Sequence, residues 1–134
     1  MISVGDELPA RERTVGLTDM ILYAGATWDW HRLHYDTAYA AQRGLAGPVV
    51  DGQLFGALLA ELVLEWAGPG ARLAALRFRF ASLVYAGETI RLSGRVSGVE
   101  AATVTVDLAV HVVSDDRIAV GPASATVILP TDRP

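Results

Sequence analysis

The chain has 134 residues, enough for one domain with a core of its own and too few for two ordinary ones. Its formal net charge of -4 and isoelectric point near 5.2, with basic residues that are all arginine and scattered, exclude the concentrated basic patch of a nucleic-acid surface. The absence of cysteine excludes disulfides, a thiol nucleophile and thiolate metal sites.

In chain order, residues 12–17 read as a possible edge strand. Thr18 is placed to cap a short helix over residues 19–24, with Asp19 favouring its positive end. Asp36 is placed to cap a second helix over residues 37–42, which Gly44 and Gly47-Pro48 stop before Val49 and Val50. After a turn at Asp51-Gly52, the apolar positions Leu54, Phe55, Leu58, Leu59, Leu62, Val63 and Trp66 follow helical spacing. Ala57, Ala60 and Leu64 make the other side nearly apolar too, so residues 53–66 predict a buried helix ended by Gly68-Pro69-Gly70. Leu76, Phe78 and Phe80 alternate with Arg77 and Arg79, the period of a half-buried strand. Residues 89–99, 103–113 and 118–129 are rich in β-branched side chains, with turns expected at Gly98-Val99-Glu100 and Ser114-Asp115-Asp116. They predict an antiparallel meander, and about five strands in all can curl around one apolar helix. The N-terminus lacks the basic-then-apolar layout of a signal peptide, and the apolar run 54–64 falls short of the ~20 residues a membrane span needs. A cytoplasmic protein without a membrane span is expected.

The chemistry is concentrated in residues 27–36, Thr-Trp-Asp-Trp-His-Arg-Leu-His-Tyr-Asp. Asp29 and His34 would point ~140° apart on a continuous helix, so they converge on one substrate only if the segment between them is a loop. An Asp and a His so arranged form an acid–base pair. Gly52, at the start of the apolar helix, offers a backbone N–H at the helix's positive end and no side chain to obstruct a ligand, which suits an oxyanion hole. His31 and Asp51 are placed to tune the site, although a contact to backbone or solvent for His31 and a helix cap for Asp51 are the simpler roles. Trp28, Trp30 and Tyr35 read as packing groups, Arg77 and Arg79 as residues that solvate a strand face, and Glu61 and Glu65 as facing solvent or a partner.

At these residues the chain resembles the MaoC-like hydratase/dehydratase family. The family's Asp, Asn-Pro, aliphatic residue and His, followed by an Asp and an Ala-rich helix, are matched here by Asp29, His31-Arg32, Leu33, His34, Asp36 and Ala38. Gly47-Pro48-Val49-Val50-Asp51-Gly52 resembles the segment that introduces the family's central helix, and Glu65-Trp66-Ala67-Gly68-Pro69 resembles small hydratase subunits of actinobacterial steroid side-chain breakdown. Two positions depart from the pattern: His31-Arg32 stands for Asn-Pro, and Asp51 stands where a His commonly precedes the Gly.

The resemblance implies an α+β single hot-dog domain over residues 1–134, a curved antiparallel sheet wrapped around a long central helix. It implies reversible hydration of a trans-2-enoyl thioester of coenzyme A or acyl carrier protein to an (R)-3-hydroxyacyl thioester. Asp29 and His34 would be catalytic, the Gly52 N–H the oxyanion donor, and neither metal nor redox cofactor would be needed. The alternatives are a hot-dog thioesterase, or a subunit whose acyl pocket a partner completes. The three histidines His31, His34 and His111 lack HExxH spacing, and no Gly-x-Ser-x-Gly elbow is present. An open sheet edge and a thin layer predict at least a dimer, either a homodimer or a heteromer with another hot-dog subunit.

Overall fold

A computed structural model of the chain describes residues 1–131. Among these, five strands form one antiparallel sheet: β1 (Arg11–Thr14), β2 (Arg72–Phe80), β3 (Thr89–Glu100), β4 (Thr103–Val112) and β5 (Ile118–Ile128), in the order β1-β3-β4-β5-β2. Ahead of β2 come helices α1 (Leu17–Thr27), α2 (Thr37–Gln42) and α3 (Gly52–Ala67), with a 3-10 turn at Arg32–His34 between α1 and α2. No helix among the described residues is long and apolar enough to cross a membrane.

Alternation along the strands makes the core. On β4, Val104, Val106, Leu108, Val110 and Val112 are buried, while of the residues between them Asp107 is exposed and Thr105, Ala109 and His111 are half-buried. The buried face meets α3, which contributes Leu54, Phe55, Leu58, Leu59, Leu62 and Val63. Leu59 and Leu62 are at most 1% exposed, each worth roughly 1.5–3 kcal/mol of burial. Register shifts between β2 and β5, β3 and β4, and β4 and β5 bend the strands, so the sheet curls around the helix.

Several local expectations change. Thr18 does not cap α1: Gly16 holds the N-cap position, and Asp19 reaches back to accept its N–H at 2.8 Å. The helix continues past residue 24 to Thr27, where Trp28 takes a left-handed conformation (φ 59°) and ends it. Gly98-Val99-Glu100 is not a turn, because its residues pair with Thr105, Val104 and Thr103, and the strand reverses at Ala101 (φ 52°). Gly98 sits instead beside the register shift that follows Val96. The central helix is not buried all round: Ala57, Glu61 and Glu65 face outward, and both glutamates pair with Arg11 of β1. A single sheet covers one side of a helix, and the outer side is left for charges. Trp28 and Trp30 are likewise not packed inside, being 80% and 43% exposed.

What positions the site is the strap between α2 and α3. Val49 bridges to Tyr85, Val50 N–H donates to the Val84 carbonyl at 2.8 Å, and Ala86 N–H donates to the Pro48 carbonyl at 2.9 Å. The strap delivers Asp51 and the first turn of α3 to the end of the sheet near β2.

Candidate active site

The Asp29 loop is built by hydrogen bonds that its own sequence supplies. The Asp29 N–H donates back to the Ala24 carbonyl at 3.1 Å, and the Asp29 carboxylate accepts the His31 N–H at 3.3 Å. His31 Nδ1 accepts the Leu33 N–H at 3.0 Å, which starts the 3-10 turn, and the Tyr35 hydroxyl donates to the Trp30 carbonyl at 3.0 Å. The loop expected between Asp29 and His34 is therefore present, closed by a single tight turn. Asp36 caps α2 as its position implies, accepting the Tyr39 N–H at 3.0 Å while Arg32 pairs with its other oxygen.

His34 is oriented by the strap. Its Nδ1 lies 2.7 Å from the Val49 carbonyl, an acceptor only, so Nδ1 carries the hydrogen and neutral His34 presents Nε2 as an open base. Nε2 stands 3.9 Å from Asp51 Oδ2, and both side chains are largely enclosed, 16% and 14% exposed. Asp51 uses Oδ1 to accept the Gln53 N–H at 3.0 Å, the N-cap bond of α3. Asp29, His34 and Asp51 each offer an atom within 4.8 Å of the others. The sequence-predicted pair is thus joined by a third titratable group. His31 stays on the exposed rim, its ring centroid 5.9 Å from that of His34.

Hydrogen bonding with the Asp51 carboxyl, then the His31 N–H, holds the Asp29 carboxyl below the usual carboxylate range, against some desolvation. Tyr23 of α1 feels the same cluster: burial raises its pKa, and the negative charges of Asp51 and Asp29 raise it further. Sequence reading passed over Tyr23, although it lies in the helix that leads into the Asp29 loop.

Gly52 is the first residue of α3, so its N–H has no acceptor within the helix. A Cβ here would lie 2.5 Å from Phe80 Cε1 and nearer still to Cζ; only glycine lets the Phe80 ring rest on the helix start. Beside it opens a cleft of about 240 Å³, lined by His34, Gly52, Phe55, Phe80, Leu83 and Val84 among others. Of the acid–base cluster, His34 lines this largely apolar slot. Leu83 and Val84 were not singled out from sequence, and Phe80 only as part of a strand; the whole of α3 separates all three from the motif in chain order.

Residues 3–117 match the family model of the MaoC like domain. The chain belongs to that family. It is 30% identical over 106 residues to the 3-oxo-4,17-pregnadiene-20-carboxyl-CoA hydratase beta subunit of Mycobacterium tuberculosis (strain ATCC 25618 / H37Rv), an overlap of 79% of this chain and 82% of that protein. A chain of the ChsH1-ChsH2 complex from Mycobacterium tuberculosis superposes with a TM-score of 0.89 at 26% identity, covering 97% of this chain and 100% of that one. The (R)-hydratase from A. caviae involved in PHA biosynthesis also superposes at 0.89, with 23% identity and coverage of 96% and 98%, a likeness of fold. This MaoC-like chain has the α+β hot-dog fold, its five-stranded antiparallel sheet wrapped on α3.

Proposed function

We propose that the protein catalyses reversible addition of water to a trans-2-enoyl thioester, giving an (R)-3-hydroxyacyl thioester, with coenzyme A or an acyl carrier protein as the thiol and without metal or redox cofactor. The observation that carries this reading is the orientation of His34, whose Nδ1–H is committed to the Val49 carbonyl and whose Nε2 opens toward the two carboxyls beside the start of α3. A water held by Nε2 and Asp29 loses a proton to that pair as its oxygen attacks the β-carbon. The thioester oxygen, set at the Gly52 N–H and the positive end of a sixteen-residue helix, takes up the enolate charge. One such donor is worth roughly 2.7–4 kcal/mol in other enzymes, comparable to the acid–base contribution. The cleft along Phe55, Phe80 and Leu83 receives the acyl chain.

We further propose that a second hot-dog subunit completes the acyl pocket. Phe80, Leu83 and Ile118 are 58%, 49% and 49% exposed, and Phe80 and Leu83 line the cleft itself. A cleft of about 240 Å³ is below the roughly 300–1,000 Å³ of pockets that enclose a ligand. The likeness to a protein named a beta subunit, and to a chain solved in a two-protein complex, supports a heteromer over a homodimer.

The test follows enoyl conjugation and free thiol together, on trans-2-enoyl-CoA substrates of short, medium and bulky acyl group. Conjugation lost without thiol is the expected result; thiol release would make the protein a thioesterase. Activity that appears only with a cognate hot-dog partner would establish the heteromer.

A further inference from the structure

We propose that Asp51 is a third acid–base group of the site, and that its carboxyl delivers the proton taken up by the α-carbon. The inference rests on the hydratase reading above. Asp51 spends only one oxygen on the helix: Oδ1 accepts the Gln53 N–H, while Oδ2 faces His34 Nε2 at 3.9 Å. A residue that did nothing but cap would need no enclosure, yet the Asp51 side chain is 14% exposed and stands within reach of Asp29 as well as His34.

The titratable groups facing it come from three other segments: Tyr23 from α1, Asp29 from the loop, and His34 from the 3-10 turn. Arg32 is occupied by Asp36 at 2.9 Å. Asp29, His34 and Asp51, each offering an atom within 4.8 Å of the others, are close enough to pass a proton from one to the next directly or through one water.

The order of atoms along the substrate gives Asp51 its role. With the thioester oxygen at the Gly52 N–H, the α-carbon lies beside the Asp51-Gly52 corner and the β-carbon one bond farther, toward the water of Asp29 and His34. A water O–H bond breaks, its proton passing to Asp29 or His34, and the oxygen bonds the β-carbon. The alkene pair moves to the enolate, which collapses by taking the proton of the Asp51 carboxyl. Asp51 is then reprotonated across the cluster from Asp29 or His34. One water is consumed and every protein group returns to its starting state; dehydration runs the same steps backward.

Asp51→Asn separates this role from capping, because an asparagine oxygen still accepts the Gln53 N–H. As the donor, Asp51 carries the proton at the moment the enolate collapses, so the pH profile of kcat should change shape in the variant. We expect kcat to fall ~10²–10⁴-fold with KM little changed and the melting temperature retained, and deuterium exchange at the α-carbon to fall in parallel. Asp51→Ala loses the cap as well and melts lower. Wild-type kcat and pH profile in Asp51→Asn would overturn the proposal. Carboxyl carbon NMR reads the coupling of the two carboxyls without substrate: an Asp29 titration that changes in Asp51→Asn is expected, and an unchanged one would overturn the proposal. Absence of hydration by the wild type with its partner overturns the hydratase reading instead.

Discussion

Two glycines on one face of α3 make a matched pair of perturbations with opposite expected outcomes. Gly52 and Gly56 are one turn apart, and the rings of Phe80 and Phe78, two apart on β2, rest on them. A Cβ at Gly56 would come within 2.7 Å of Phe78 Cζ, so the ring has to retreat by about 0.7 Å to reach ordinary contact. Phe78 is half-buried against the core, so its ring gives way less readily than an exposed one. Overpacking of this kind costs ~1–3 kcal/mol, partly offset by the ~1 kcal/mol that alanine gains over glycine inside a helix, so Gly56→Ala should lose about 1 kcal/mol net. At Gly52 the overlap is worse, but Phe80 is 58% exposed and can swing outward, so stability should change by no more than ~0.5 kcal/mol. What swings, however, is a wall of the acyl cleft beside the oxyanion donor. A misplacement of about 1 Å at reacting groups costs on the order of 10²-fold, so Gly52→Ala should lose activity about that much. Urea unfolding and conjugation-loss kinetics on the two variants measure both effects. Trading Phe78 for Leu should recover much of the Gly56→Ala loss. A stabilised Gly56→Ala, or a Gly52→Ala protein with full activity, would refute the reasoning from ring contact.

Other consequences follow from the same geometry. Asp29→Asn should lower hydratase kcat ~10²–10⁴-fold without lowering the melting temperature, and full activity would remove Asp29 from the mechanism. Burial pushes the Glu88 carboxyl up, but its bonds to Arg117 at 2.6 Å and the Tyr85 N–H at 2.9 Å outweigh that and hold it lowered. A lowered carboxylate contributes stability above its unfolded pKa of about 4.3 and loses it as pH falls through the folded value. Glu88→Gln should therefore cost about 1–2 kcal/mol at neutral pH, with the difference from wild type vanishing in acid, as read by thermal midpoints across pH. Treatment with EDTA should leave the rate of conjugation loss unchanged. A loss restored by a divalent ion would mean that the two carboxyls and His34 work through a metal.

Where one physical rule dominates, the fold was legible. The even-numbered apolar run from Val104 to Val112 could only be one face of a strand, and Asp36 could only start a helix whose end Gly44 marks. Rules that compete locally gave wrong details. At residues 16–19 a threonine cap lost to a glycine cap with Asp19 folded back, since the carboxylate can satisfy the Gly16 N–H from inside the first turn. At residues 98–100 glycine signalled a turn, but cross-strand pairing kept the strand going and used the glycine next to a register shift. Hydrophobicity alone put Trp28 and Trp30 inside, whereas the loop they flank lies on the surface, where they stack edge to face at 6.0 Å.

The site was legible only as far as single residue types announce chemistry. Asp29, His34, Asp51 and Gly52 stood out, and the structure brings them to one place. The Val49 carbonyl did not stand out, because every residue carries one, yet it decides which nitrogen of His34 is free. The same strap fixes Asp51 two residues later, so His34 and Asp51 are held to each other within one short loop. Asp29 is hung separately, from the left-handed end of α1 at Trp28. The strap in turn is bonded to residues 84–86, and that segment is anchored by Arg117, which donates to the Leu83 carbonyl at 3.1 Å and pairs with Glu88. A disturbance of this anchor would move His34 and Asp51 together relative to Asp29, changing the spacing across which the water is held while sparing the His34–Asp51 contact.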